Sequence, residues 1–288
     1  MNVLVTGSAS GFAQILLPRL AADPGIEFIL GMDQRESAFT HERYVQVVLD
    51  LRSPLLARVL RDIQAVIHLA PAVSDAAAAR GELLAGAQNL YSRALAAGTQ
   101  HLIHLSSALV YSAPAENAVD EHHALAATPG CAAAEALQAV EAWLTEFEAE
   151  HPTRRVLRLR PHWLVGPHCD SVLARLLRQR LTLRDATARL QCVHEDDVVE
   201  AIVRALHSEA RGAFNLACSD SVTLPALHRQ ARWLRLPTTM RLLASRLDTV
   251  PGCIDALTRS LVLDSQRARS ELGWHPRYDR AREIIRHC

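Results

Sequence analysis

The sequence predicts an α/β fold: a doubly wound parallel sheet with a smaller, partly interleaved C-terminal lobe. Three observations carry this. The chain opens on a short apolar run, Asn2-Val3-Leu4-Val5, which ends in a glycine-rich turn and continues into an apolar segment, Ile15 to Leu20. Further strand-length apolar runs then alternate with helix-length segments, and no hairpin signal separates them. The chain has 288 residues, 49% of them hydrophobic and 22% charged, which suffices for a sizeable core.

The turn reads Thr6-Gly7-Ser8-Ala9-Ser10-Gly11-Phe12-Ala13. Gly7 permits a tight bend that a Cβ would resist. Gly11 is expected to let the backbone approach a ligand at the helix start, where free N–H groups and the helix dipole favour a pyrophosphate. A second strand, Ile26 to Met32, ends in Asp33, about twenty residues beyond the turn, where a carboxylate accepts bonds from the adenosine ribose hydroxyls. The same charge repels a 2′-phosphate and favours NAD over NADP, with Arg35 partly offsetting the repulsion.

Tyr44 to Leu49 reads as a third strand, followed by Asp50-Leu51, and Ser53 as the cap of a helix to about Arg61. Ala65 to Ala70 is a fourth strand, stopped by Pro71. Ala72 to Ala79 is loop or helix start. A helix from about Gly81 to Ala97 ends at Gly98. His101 to Ser106 is a fifth strand, Cys131 to Glu150 a long helix, and Arg155 to Leu159 a sixth strand. Ligands of such sheets bind at the carboxyl ends of the strands, so Gly7, Asp33, Asp50, Ala70, Ser107 and His162 are expected to share one crevice. The pattern places a dinucleotide-binding domain at 1–162, with sheet and helix returns near 190–217, and a smaller substrate-binding lobe at 163–288.

Formal net charge is zero, which gives no support for nucleic-acid or membrane binding by bulk electrostatics. Arg175, Arg178, Arg180 and Arg184 read as a solvated face or a small anion site. No run approaches the roughly twenty apolar residues of a membrane span, and the apolar start lacks the basic leader of a signal peptide. The six cysteines (131, 169, 192, 218, 253 and 288) form no CxxC pair, and the histidines no HExxH. The expectations are no metal, a cytoplasmic location and a small-molecule partner.

With these residues placed, the chain resembles the extended, epimerase and dehydratase branch of the short-chain dehydrogenase/reductase superfamily, a Rossmann-type fold. The glycine turn, Asp50-Leu51, His68-Leu69-Ala70, Ser106 to Tyr111, Arg160-Pro161 with Gly166-Pro167, Val193 to Val198 and Leu272 to Pro276 match recurrent landmarks of that branch in order. The resemblance implies a cofactor site built from Gly7, Ser10, Gly11, Phe12, Asp33, Arg35, Asp50, Leu51, Leu69 and Ala70. It also implies a catalytic serine at Ser107.

The chemistry departs from the pattern. The family uses a tyrosine as acid/base and a lysine four residues later to hold the ribose and lower the tyrosine pKa. In the matching register Cys131 and Glu135 hold those positions, and the chain contains no lysine at all. Ser107, Cys131, Glu135 and His162 are the candidate catalytic residues. His162 and His168 are the remaining proton carriers that titrate near neutrality. Nucleotide-sugar members carry an asparagine where this chain has Trp163. These departures lead to an expected NAD(H)-binding, divergent or atypical oxidoreductase or epimerase that acts on a small substrate other than a nucleotide sugar. The alternative is a catalytically inactive dinucleotide-binding or regulatory protein. A homodimer through the 81–97 and 131–150 helices is expected from the family's habit.

Overall fold

The computed structural model describes residues 1–69, 76–111, 118–127, 130–183, 187–227, 234–236 and 256–287. Ala70, Arg184, Cys253 and Cys288 lie outside the described residues.

The main sheet has seven strands: β1 (Asn2–Thr6), β2 (Phe28–Asp33), β3 (Tyr44–Val48), β4 (Ala65–Leu69), β5 (His101–Leu105), β6 (Arg155–Pro161) and β10 (Gly212–Leu216). Their order is β10-β6-β5-β4-β1-β2-β3, and every adjacent pair is parallel. The chain leaves β1 toward one edge and returns through β4 toward the other. That reversal opens a crevice at the carboxyl ends of β1, β2 and β4. Two short sheets, β7 (Trp163–Val165) with β9 (Cys192–His194) and β8 (Leu181–Leu183) with β11 (Leu234–Leu236), lie beyond it.

Alternation along the strands divides the core into two layers. Val3, Val5, Ile29, Ile67, Ile103 and Leu157 face α1 (Ala13–Ala21) and α6 (Glu195–His207). Leu4, Leu30, Val66, Leu102 and Val156 face α3 (Ala76–Ala96) and α4 (Ala132–Glu150). Helix α3 begins inside the alanine-rich stretch left open by the sequence. It ends before Gly98, whose φ of +87° is the left-handed stop that a glycine takes without cost. Ser53 does not cap α2 (Leu56–Val59); the cap position is Leu55, and Ser53 Oγ accepts from its N–H at 3.2 Å, one step earlier. Among the described residues no helix is long and apolar enough to cross a membrane.

The apolar layer under α3 and α4 is interrupted by one polar row. Thr6, His68, His104 and Arg158 are register partners across β1, β4, β5 and β6. Thr6 Oγ1 and His68 Nδ1 are 2.5 Å apart, and Tyr91 Oη lies 3.1 Å from His104 Nδ1.

Candidate active site

The glycine turn can be read amide by amide. Gly7 and Ser8 donate to the Met32 carbonyl, Ser10 to Gly7, and Gln14 to Gly11. Ala9 donates to Asp33 Oδ2 at 3.1 Å and Ala13 to Ser10 Oγ at 3.2 Å. Between residues 7 and 14, the amides of Gly11 and Phe12 alone find no acceptor among the described residues. They are consecutive and stand at the start of α1, where the helix dipole adds partial positive charge. Two such donors at a helix start can take an anion. Ser8 Oγ is likewise buried without a partner. A pyrophosphate fits these donors, and NAD fits the turn.

Both glycines are needed, for reasons the sequence only half predicts. Gly7 has φ +74°, and a Cβ there would stand 3.0 Å from the Leu69 carbonyl. At Gly11 the neighbour is the chain itself: a Cβ would run into the carbonyl oxygen of His168. Close approach of the segment after β7 is a second reason for a glycine here, beside the expected approach of a ligand.

Asp33 ends β2 with its carboxylate mostly covered. Its Oδ1 accepts from the Arg35 amide at 3.1 Å, and the Arg35 guanidinium is 3.8 Å away and largely exposed. The carboxylate thus braces the glycine turn through Ala9 and still has lone pairs for ribose hydroxyls. Asp50 is engaged differently. Arg52 bonds it through Nε and Nη2, and Gln34 donates to it at 3.1 Å. The Arg52 bonds hold the Asp50 carboxyl below the usual range.

Ser107 follows β5 and caps a short 3-10 turn, Ala108–Val110, by accepting from the Leu109 amide at 3.2 Å. Leu109 packs on Cys131 and Ala134, which brings the serine turn to the start of α4. Cys131 is fully buried there and is disulfide-bonded, whereas Cys169, Cys192 and Cys218 are buried thiols. A disulfide sulfur carries no proton, so in this state Cys131 has no acid/base function. One turn on, Glu135 Oε1 accepts from the Gly130 amide at 3.2 Å.

His162 follows β6 and is buried. Its Nδ1 meets the Gln191 carbonyl, and the Leu261 backbone also lies against the ring. Burial brings its pKa down to about 4, against the raising effect of the Gln191 and Leu261 backbone. The ring is neutral near pH 7 and tied to the Gln191 backbone, an arrangement that holds position better than it carries protons. His162 and Trp163 line a narrow cavity with Leu109, Tyr111 and Leu261. Of the arginine group, Arg175 and Arg178 both pair with Asp170.

Two supporting clusters were not legible in the sequence. Glu195, the first residue of α6, is 2% exposed. It accepts from the His168 amide at 3.0 Å, the His168 ring at 2.7 Å and the Cys169 thiol at 3.1 Å. In the other cluster, buried Arg160 bonds Glu141 through Nε at 2.9 and 3.0 Å and also donates to Tyr111 Oη. Tyr111 in turn donates to Asn215 at 3.0 Å. That chain of bonds ties α4, β6, the serine turn and β10 into one unit. The only signal was charged and polar residues inside apolar runs.

The family model described as NAD dependent epimerase/dehydratase family matches residues 3–217. Uncharacterised proteins of Mycobacterium tuberculosis and Mycobacterium bovis are 27% identical over 96% of this chain and 80% of theirs. Among solved structures, the UDP-glucose 4-epimerase of Thermotoga maritima with UDP-glucose superposes with a TM-score of 0.79 at 18% identity, over 100% of this chain and 98% of that one. The UDP-glucuronic acid 4-epimerase of Bacillus cereus in complex with NAD gives 0.77 at 16% identity, over 100% and 97%. The dTDP-glucose 4,6-dehydratase of Streptomyces venezuelae, with NAD bound, gives 0.76 at 19%, over 100% and 95%.

Proposed function

As the chain belongs to the NAD-dependent epimerase/dehydratase family, we propose that it binds NAD in the crevice at the carboxyl ends of β1, β2 and β4 and works there without the family's tyrosine and lysine. The observation that carries the cofactor half is the unpaired Gly11 and Phe12 amides at the start of α1. In this reading those amides take the pyrophosphate, Asp33 takes the adenosine ribose, and Leu69 lines the approach beside Gly7. Bound NAD would supply hydride transfer; the chain's own residues bind and orient it.

The chemistry half rests on Cys131 and Glu135. A phenol serves as an acid/base near neutrality when a nearby cation favours its phenolate. Glu135 brings the opposite charge, and Cys131 brings no phenol. Ser107 retains a hydroxyl beside this position and is the side chain we assign to orienting a carbonyl or hydroxyl of the substrate. We infer a small substrate other than a nucleotide sugar, because the bulky Trp163 indole stands where nucleotide-sugar members of the family carry an asparagine. The nucleotide sugars named for the solved relatives are the natural counter-test.

A second reading, a dinucleotide-binding protein without turnover, is favoured by the disulfide at Cys131. We place the protein as a homodimer through α3 and α4; the Cys131 disulfide runs against the reducing cytoplasm expected from the scattered cysteines. The deciding experiment is titration of purified protein with NADH and NADPH, with mass spectrometry of any copurifying ligand. A carbonyl and nucleotide-sugar panel follows. Tight NADH binding with turnover of a small carbonyl supports the first reading. Bound, unreacted dinucleotide supports the second, and failure to bind either nucleotide sinks both.

A further inference from the structure

A cavity of about 500 Å³ lies away from the crevice, between α4, β6 and the Gln266–Glu271 helix. Cavities of this size hold small molecules. Thr145 and Glu146 line it from α4, Arg158 and Arg160 from β6, and Arg267 from the short helix. Arg158 and Arg160 are two apart on a strand, so both project from the same face of the sheet. Thr145 stands well along α4 from Cys131 at its start, about 20 Å by helical rise.

The three arginines differ in how fully they are used. Arg160 is spent on Glu141 and Tyr111. Arg267 gives Nε to Glu271 at 2.9 Å and its Nη atoms to the Ala213 and Arg211 carbonyls at 3.1 and 2.9 Å. Arg158 is 6% exposed and bonds Thr145 through Nη1 and Glu148 through Nη2. A guanidinium carries five N–H donors, and Arg158 Nε is buried with no partner among the described residues. Charge is unbalanced in the same sense. Burial lowers the Arg158 pKa, and the Arg160 and Arg267 charges lower it further, against Glu141 and Glu148. The opposing charges in the lining are Glu121, which accepts from the Asn215 amide at 2.7 Å, and the exposed Glu146. His122 and His123 are exposed beside them.

We propose that this cavity is a binding site for a small oxyanion, a carboxylate or a phosphate, held by Arg158 and Arg267 and separate from the dinucleotide crevice. Guanidinium groups that line one cavity repel one another. An anion among them relieves that repulsion and takes the donors that Arg158 has left. Glu121 and Glu146 oppose it, which favours a compact ligand held by directed bonds over a highly charged one. The site does not depend on NAD binding as read above.

The test titrates the full-length protein with inorganic phosphate and with malonate by calorimetry, at an ionic strength held constant with chloride. Saturable binding of at least one is expected, and the tighter of the two tells phosphate from carboxylate as the preferred oxyanion. Arg158→Gln keeps an amide donor for Glu148 but removes the guanidinium, and Arg267→Gln removes the second. Each is expected to weaken the anion by about tenfold, the scale of one charge-assisted hydrogen bond. Glu146→Gln removes an opposing charge and is expected to tighten it. Circular dichroism and melting temperature report whether the variants stay folded. Glu146 is exposed, so its variant reads the site even where an arginine variant does not fold. No saturable binding of either anion overturns the proposal. Binding that the folded variants all leave unchanged overturns it as well, because it marks a site elsewhere, the glycine turn included.

Discussion

His68 and His104 face one another across β4 and β5 as register partners, with ring centroids 5.3 Å apart and both side chains buried. Burial pushes both pKa values down, His68 well below its ordinary value and His104 to about 3, where the Arg158 charge adds to the effect of burial. His101 at the head of β5 is also held at about 3 by burial. These rings are neutral in the folded state, whereas in the unfolded chain they take up protons near pH 6.5.

The folded state therefore binds fewer protons than the unfolded state between the two pKa values. The sign follows from linkage: stability is full above about pH 6.5 and falls as the pH drops toward 3. At pH 5 each such histidine costs about 2 kcal/mol. Urea unfolding at pH 7.5, 6 and 5 should show the midpoint falling steadily. His104→Phe, which cannot titrate, should flatten the slope even if it lowers stability at pH 7.5. A midpoint independent of pH over this range contradicts the neutral-histidine row.

Arg160 and Glu141 form a buried pair that cannot lose one partner cheaply. Glu141 is fully buried, and it receives three bonds from the guanidinium. Glu141→Ala leaves Arg160 charged and uncompensated and should cost about 3–5 kcal/mol in urea unfolding. The double change Arg160→Met with Glu141→Leu should cost less than Glu141→Ala alone, since no orphaned charge remains.

Gly11→Ala should be destabilising because its neighbour is backbone, which cannot swing aside. Forcing the His168 segment away from the turn is expected to cost about 1–3 kcal/mol. It should also reduce NADH affinity by moving the amides of the turn. A thermal melt and an NADH titration on the same sample check both parts. An unchanged melting temperature would mean that the His168 segment lies elsewhere in solution.

Asp33→Ala removes two functions together, the brace on the Ala9 amide and an acceptor for ribose hydroxyls. NADH binding should weaken by about 1.5–3 kcal/mol. NADPH should bind more weakly than NADH to the unsubstituted protein and lose less on the substitution, because the repelling charge has gone. Fluorescence titration of both nucleotides against both proteins checks it; tighter binding of NADPH by the unsubstituted protein would refute it.

Cys131→Tyr with Glu135→Lys rebuilds the family pair on one face of α4, four residues apart. The double variant is expected to gain or increase NADH-dependent reduction across a small carbonyl panel, relative to either single variant. If Cys131→Ala instead abolishes an activity already present while NADH binding survives, the acid/base position is intact and our account of it fails.

Much of the fold was local information, and the sequence alone determined it. Apolar runs closed by Gly7, Asp33 and Ser106 mark strand ends within a few residues, because hydrophobic period and turn chemistry act over short distances. The absence of lysine was equally legible, since no fold can supply a residue type that the chain lacks. Tertiary structure alone decided which distant residues meet. Gly11 and His168 touch across 157 positions, and Glu195 reaches back 27 residues to hold the segment that covers the turn. Thr6, His68, His104 and Arg158 form one row only because the sheet register aligns them. Register and crossover geometry set such contacts, and a shift of one residue would turn each of these side chains to the other face.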